Sequence, residues 1–234
     1  MVLTACVVAE PRPVVTRPAV ATGPSAAATA WYAMTPERFM ALPEARREMS
    51  FASLDRNLLA AAIFHATNRQ RVQHGFGVLE YDAAVSEAAR LQASVMAAKN
   101  FMGHENPFDP SLKTPLDRIL KVGLKPRYLA ENVAMEYVRN MGPGQEFYTR
   151  TEKGAMVFSL TPDGPPIPMH SYVTFAEMLL DGWMNSPGHR ANILSEPPRM
   201  LGCAGAPASE ANGLEKLFCA QVFFTPARVV EPEP

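Results

Sequence analysis

The sequence predicts an α+β fold in which helices pack on a sheet. Three observations carry that expectation. Helical patterns fill the chain from about residue 50 to Gly123, strand-like runs gather in the last hundred residues, and a hydrophobic content of 47% over 234 residues suffices for one good core. The charge balance narrows the partners. A formal net charge of −1, with basic residues scattered among acids, carries no signature of nucleic-acid binding. No apolar run approaches the roughly 20 residues that span a bilayer.

Residues 1–30 read as an export and tether segment. Cys6 ends "LTAC", the shape of a bacterial lipobox, although only five residues precede it. Lipidation at Cys6 and a chance match both remain open. The stretch "VVAEPRPVVTRPAVATGPSAAATA" that follows is rich in Pro, Ala and Thr and has no period, so it predicts a disordered, semi-extended linker. Such a linker behind a lipidated cysteine would hold a domain away from a membrane. Residues 31–50 predict short helical turns, with Thr35 as N-cap, Pro36 at the first helical position and Pro43 as an interruption.

The compact domain is expected over residues 51–228, with a disordered tail at 229–234. "SLDRNLLAAAIFHATNRQRVQHG" predicts a helix that stops at Gly75. "YDAAVSEAARLQASVMAAKN" predicts a second, with Asn100 suited to its C-terminal cap. "TPLDRILKVG" is a third and shorter one: Thr114 caps, Pro115 opens, Asp117 favours the positive end and Gly123 closes. "ENVAMEYV" then predicts a strand. Residues 139–172 are long for a connection, and alternation in "EFYTRTEKGAMVFSL" predicts a hairpin insertion that borders a cleft or simply sits on the surface. A fourth helix opens at "TFAE", where Thr174 and Glu177 read as a capping box, and runs through Trp183. Strands close the chain in "LGCAGA" and "LFCAQVFF".

Those last strands hold Cys203 and Cys219 in hairpin-like apolar settings. A disulfide between them would contribute about 3 kcal/mol on the loop-entropy account and would place the chain in an oxidising compartment. Two buried free thiols are the alternative.

Chemistry gathers at three points where elements end. His189 follows the break "SPG" and falls in the first turn of a short helix, whose positive end keeps the ring neutral. Ser186 reads as the N-cap of that helix, its oxygen engaged by backbone N–H groups. His104 follows a glycine beyond the second helix, and Glu131 lies at the head of the first strand. No His-Glu-x-x-His helix, Gly-x-Ser-x-Gly elbow or cysteine placed for attack is visible.

The ordered set "NRQR", "GVLEYDAAVSEAARLQASVMA", "FMGHENP", "TPLDRILKVG", "AENVA", "GWMNSPGHRANIL", "LGCA" and "FCAQVFF" resembles the CAP superfamily in its bacterial, secreted SCP-like branch. The resemblance covers roughly residues 55 to 225. It implies a three-layer α-β-α sandwich with a central antiparallel sheet, and a bacterial protein that is secreted or held at the cell envelope. It also implies a cleft in which His104, Glu131 and His189 take the places of two family histidines and one acid. Ala130 stands where the family's Gly-Glu-Asn motif has glycine. Ser186 stands where many eukaryotic relatives carry the second acid, so the cleft departs from the full set.

The expected role is a monomeric binding or signalling module for a lipid, a sterol, another small hydrophobic or polar ligand, or a cell-envelope component. A divalent metal, zinc first, is expected on His104 and His189. The alternative is a metal-assisted hydrolase, protease- or esterase-like, using His104, Glu131 and His189.

Overall fold

The structure, a computed structural model, describes residues 26–142 and 144–227. Cys6 and its lipidation signal, most of the expected tether and the tail 229–234 lie outside the described residues.

Three short helices lead in: α1 (Ala26–Tyr32), α2 (Pro36–Met40) and α3 (Pro43–Arg46). The Ala-rich run from residue 26, expected to belong to the extended linker, is thus helical, in keeping with the propensity of alanine. Two long helices follow. α4 (Arg56–Gln73) is capped by Asp55, whose carboxylate accepts from the backbone N–H groups of Asn57 and Leu58. α5 (Ala83–Lys99) is capped by Asp82 and ends on Asn100 in the left-handed region, φ 49° and ψ 51°. α6 (Pro115–Lys121) begins with a reciprocal box between Thr114 and Asp117. α7 (Tyr172–Met184) and α8 (Pro187–Ile193) come later, separated by Asn185 and Ser186.

The strands are β1 (Glu80–Tyr81), β2 (Pro126–Tyr137), β3 (Tyr148–Glu152), β4 (Ala155–Ser159), β5 (Met200–Ser209) and β6 (Glu215–Pro226). One sheet has the order β1-β5-β6-β2. β5, β6 and β2 are antiparallel as expected, while the two-residue β1 adds a parallel edge to β5. β3 and β4 form a separate hairpin whose turn, Lys153-Gly154, takes positive φ at both residues. That geometry matches the right-handed twist of the flanking strands.

Strand alternation divides the core in two. Ala130 and Ala134 of β2, with Leu201, Cys203, Leu217, Cys219 and Phe223, pack on α4, α7 and the lead-in. Leu129 and Val133, with Ala204, Phe218, Ala220, Val222 and Phe224, pack on α5 and α6. The result is helix, sheet, helix in three layers. Gly202 shows how close the layers come: a Cβ there would lie 2.3 Å from the backbone of Val85 and Ser86, so only glycine lets α5 approach β5.

Three further expectations change, and the hairpin takes one of its two expected places. Cys203 and Cys219 are buried free thiols, not a disulfide. The register sets Cys219 opposite Gly205 and Cys203 opposite Gln221, making the cysteines diagonal neighbours. Diagonal Cα atoms lie about 7–8 Å apart, beyond ordinary disulfide reach. The box of α7 is also displaced: Ser171 is the N-cap and Thr174 its reciprocal partner, whereas Glu177 pairs with Arg69 at 2.8 Å. Ser186 caps α8 by position only, since its side chain makes no cap hydrogen bond. The hairpin is anchored by Phe158, Ile167 and Leu214 against Tyr137, about 20 Å along β2 from Glu131 at 3.3 Å per residue. It therefore stands away from Glu131.

Candidate ligand cleft at the edge strand

β2 is the edge of the four-stranded sheet, and two consecutive residues on it reach opposite layers. Glu131 faces α5 and α6, where Arg118 waits. Asn132 faces α4, α7 and α8. Each ties down one histidine-bearing segment, so the candidate site is built around the edge of the sheet.

On the α6 side, His104 Nδ1 lies 3.0 Å from Glu131 Oε1. The other carboxylate oxygen accepts from Arg118 Nη2 at 2.8 Å, and both side chains of that ion pair are 1% exposed. Arg118 also donates to the carbonyl oxygens of His104, Leu112 and Lys113 at 3.0, 3.1 and 3.2 Å. Gln92 on α5 holds the preceding residue, donating to Gly103 O at 2.5 Å. The His104 ring itself is 27% exposed.

On the other side, Asn132 Nδ2 donates to His189 O at 3.2 Å and to Gln221 Oε1 at 3.1 Å. Asn192 of α8 donates to Asn132 Oδ1 at 2.8 Å, and Gln221 donates to Thr67 Oγ1. At the far end of α8, Arg71 donates to Ile193 O and Ser195 O at 2.6 and 2.8 Å. A seven-residue helix is too short to persist by propensity. These buried amides and one guanidinium hold it in place.

His189 is half-buried, and its pKa is lowered, first by burial and then by the neighbouring His104. The direction agrees with the expectation of a neutral ring. Burial is the leading cause.

His104, Glu131 and His189 thus belong to one neighbourhood: the first two are hydrogen-bonded, and His104 acts electrostatically on His189. Arg118 and Asn132, which the sequence reading passed over, hold the set together. Arg118 had one visible signal, since it falls between Pro115 and Val122 on the stripe of α6 that faces the sheet, where a charge needs a partner.

His104 and His189 are the side chains that could hold a divalent ion such as Zn²⁺. Each oxygen of the buried Glu131 already meets a protein donor, which suits it to orienting His104. Two imidazoles fall one short of the three protein ligands of a catalytic zinc site. Among the described residues no group of three or more His, Cys, Asp or Glu is placed to hold an ion. The donor set does not fit a resident catalytic metal. What the arrangement can do unaided is present an oriented imidazole, backed by a carboxylate, as a hydrogen-bonding group or a base.

Comparison with known proteins agrees with the fold. The family described as "CAP: Cysteine-rich secretory protein family" matches residues 64–223. Over 133 residues the chain is 26% identical to "Uncharacterized protein YkwD" of Bacillus subtilis (strain 168), covering 57% of this chain and 37% of that protein. Over 140 residues it is 27% identical to "Uncharacterized membrane protein YlbC" of the same organism, covering 60% and 29%. The chain therefore spans about a third of the length of these curated relatives. Among solved structures it is similar to an extracellular protein containing an SCP domain from Bacillus anthracis str. Ames, with TM-score 0.47, 23% identity, and 72% and 41% coverage. It is also similar to an outer surface protein from Borrelia burgdorferi, with TM-score 0.43, 14% identity, and 70% and 90% coverage.

Proposed function

Because the chain belongs to the CAP, or cysteine-rich secretory protein, family, we propose that it is an extracytoplasmic binding module whose cleft engages the polar head of a small ligand through His104 and His189. One observation carries this reading. His104 is pinned at Nδ1 by a carboxylate that is itself locked to a buried guanidinium, which leaves Nε2 of a partly exposed ring for a ligand. His189, held through its backbone by Asn132, adds a second imidazole with lowered basicity. The secretory character of the family supports an extracytoplasmic home, and no helix among the described residues is long and apolar enough to cross a membrane.

The test is retention. Protein purified from its export host is extracted with organic solvent and the extract read by mass spectrometry, for wild type, His104→Ala and His189→Ala. A small molecule should accompany wild type and be lost from both variants while their melting temperatures hold. Equal retention in all three would end the reading.

Hydrolysis using His104, Glu131 and His189 is the second reading, favoured by the carboxylate–imidazole pair, which is the arrangement of a general base. It predicts turnover of ester or peptide substrates that disappears in His104→Ala. Zinc titration of the same three proteins by calorimetry addresses an exchangeable metal: affinity lost in both variants would restore an ion to the cleft.

A further inference from the structure

Arg118 is the most heavily committed side chain near the cleft, and the binding reading uses it only as the anchor of Glu131. It sits on α6 beside Ile119, fully enclosed. From Nη1 it donates to the carbonyl oxygens of Leu112 and Lys113, and from Nη2 to His104 O and Glu131 Oε2. One guanidinium therefore grips both ends of the 104–113 loop and the carboxylate on which the His104 ring rests. A planar fork of five donors can do this, whereas the compact ammonium of lysine cannot reach four acceptors in two directions.

The consequence falls on the proton of His104. A carboxylate facing a guanidinium is ionised, and an ionised carboxylate only accepts hydrogen bonds. The neutral imidazole must then carry its hydrogen on Nδ1 and donate it to Glu131 Oε1. Nε2, on the far side of the ring from the buried carboxylate, is left with a bare lone pair.

We infer that Arg118 is a positioning residue that, through Glu131, fixes His104 in the Nδ1–H tautomer, so that the cleft selects ligand heads able to donate a hydrogen bond over heads that only accept. Hydroxyl, ammonium and amide N–H groups are the matching chemistry. The selectivity rests on the reading that His104 contacts the ligand, whereas the tautomer does not depend on it.

The tautomer is read in the ligand-free full chain, labelled with ¹⁵N in its histidine rings, by long-range ¹H–¹⁵N correlation at neutral pH. His104→Gln assigns the resonances. Wild-type His104 should show a bare Nε2, and a protonated Nε2 overturns the inference outright. In Arg118→Met the ring should populate both tautomers, and a folded variant that keeps the single Nδ1–H form removes Arg118 from the role. If Arg118→Met lacks a dispersed amide spectrum, Glu131→Gln decides: Arg118 claims the amide oxygen, the NH2 group then faces Nδ1, and the ring should turn to the Nε2–H form, whereas an unchanged Nδ1–H tautomer overturns the inference. A merely structural arginine would not move this signature.

Selectivity is read with a matched pair of probes, benzyl alcohol and benzyl methyl ether, the second lacking the donor. The alcohol should shift the His104 ring signals at about tenfold lower concentration, the worth of one net hydrogen bond. Equal shifts from the two probes, or none from either, overturn the selectivity.

Discussion

A buried ion pair is costly to leave half-made, and Arg118 with Glu131 is such a pair, both side chains 1% exposed and 2.8 Å apart. Removing one partner strands the other charge away from water, which typically costs about 3–5 kcal/mol. Arg118→Ala should therefore lower the unfolding free energy by about that amount in a urea titration. A loss below about 1 kcal/mol would mean that water reaches Glu131 and that the carboxylate is not held as described. At this scale the sequence was partly legible. His104, Glu131 and His189 could be picked out because each stands where an element ends and matches a motif. Arg118 and Asn132 could not, because their importance lies in contacts 13 and 57 positions away in the chain, from Arg118 to Glu131 and from Asn132 to His189. Ser186 was misjudged for the opposite reason: its position next to Pro187 fits an N-cap, yet its hydroxyl makes no cap bond.

Elements were legible wherever a local signal stood alone. The Thr114 cap, the Asn100 terminus and the Lys153-Gly154 turn each follow from their own few residues. The start of α7 was not, because two overlapping patterns compete there. "TFAE" has the form of a capping box, but Ser171-x-x-Thr174 lies one turn earlier and its backbone is extended, with φ −74° and ψ 168° at Ser171. Stability data separate the two: Ser171→Ala should cost about 1 kcal/mol, whereas Glu177→Ala, losing only a partly exposed pair with Arg69, should cost about 0.5 kcal/mol or less. The reverse order would reinstate the Thr174 cap. Strand neighbours were likewise legible and their register was not, since register depends on the turn between Ser209 and Glu215. That register offsets Cys203 from Cys219, and burial raises both thiol pKa values. Thiolates, the reactive form, are thus suppressed. Iodoacetamide followed by peptide mass spectrometry should label Cys203 and Cys219 only after denaturation, and labelling of either in the native protein would contradict their burial.

Across the whole molecule, three layers enclose imidazoles that a solvated chain would protonate freely. His65 lies between the sheet-facing helix α4 and the lead-in, its ring stacked on Phe39 at 4.4 Å and edge-on to Phe64 at 5.1 Å. Its Nε2–H donates to Trp31 O at 2.9 Å, so the lead-in helices are joined to the core through this ring. Nδ1 is buried with no partner among the described residues, and a second proton there would have no acceptor. Burial lowers the His65 pKa from 6.5 to about 4, and it lowers those of His170 and His189 as well. In the unfolded chain all three titrate near 6.5, so below that pH the unfolded state binds more protons than the folded one. The stability contributed by their neutral forms is therefore complete above about pH 6.5 and declines as pH falls below it, for His65 down to about 4. At 1.36 kcal/mol per pKa unit, His65 alone accounts for about 3 kcal/mol of that loss. Thermal unfolding followed from pH 7.5 to pH 4 should show the midpoint descending through this window. His65→Phe keeps the aromatic contacts and cannot be protonated. It should cost about 1 kcal/mol at pH 7.5, the hydrogen bond to Trp31, and flatten the descent. An equally steep descent in wild type and His65→Phe would mean that the ring titrates in contact with water and that the lead-in does not seal it.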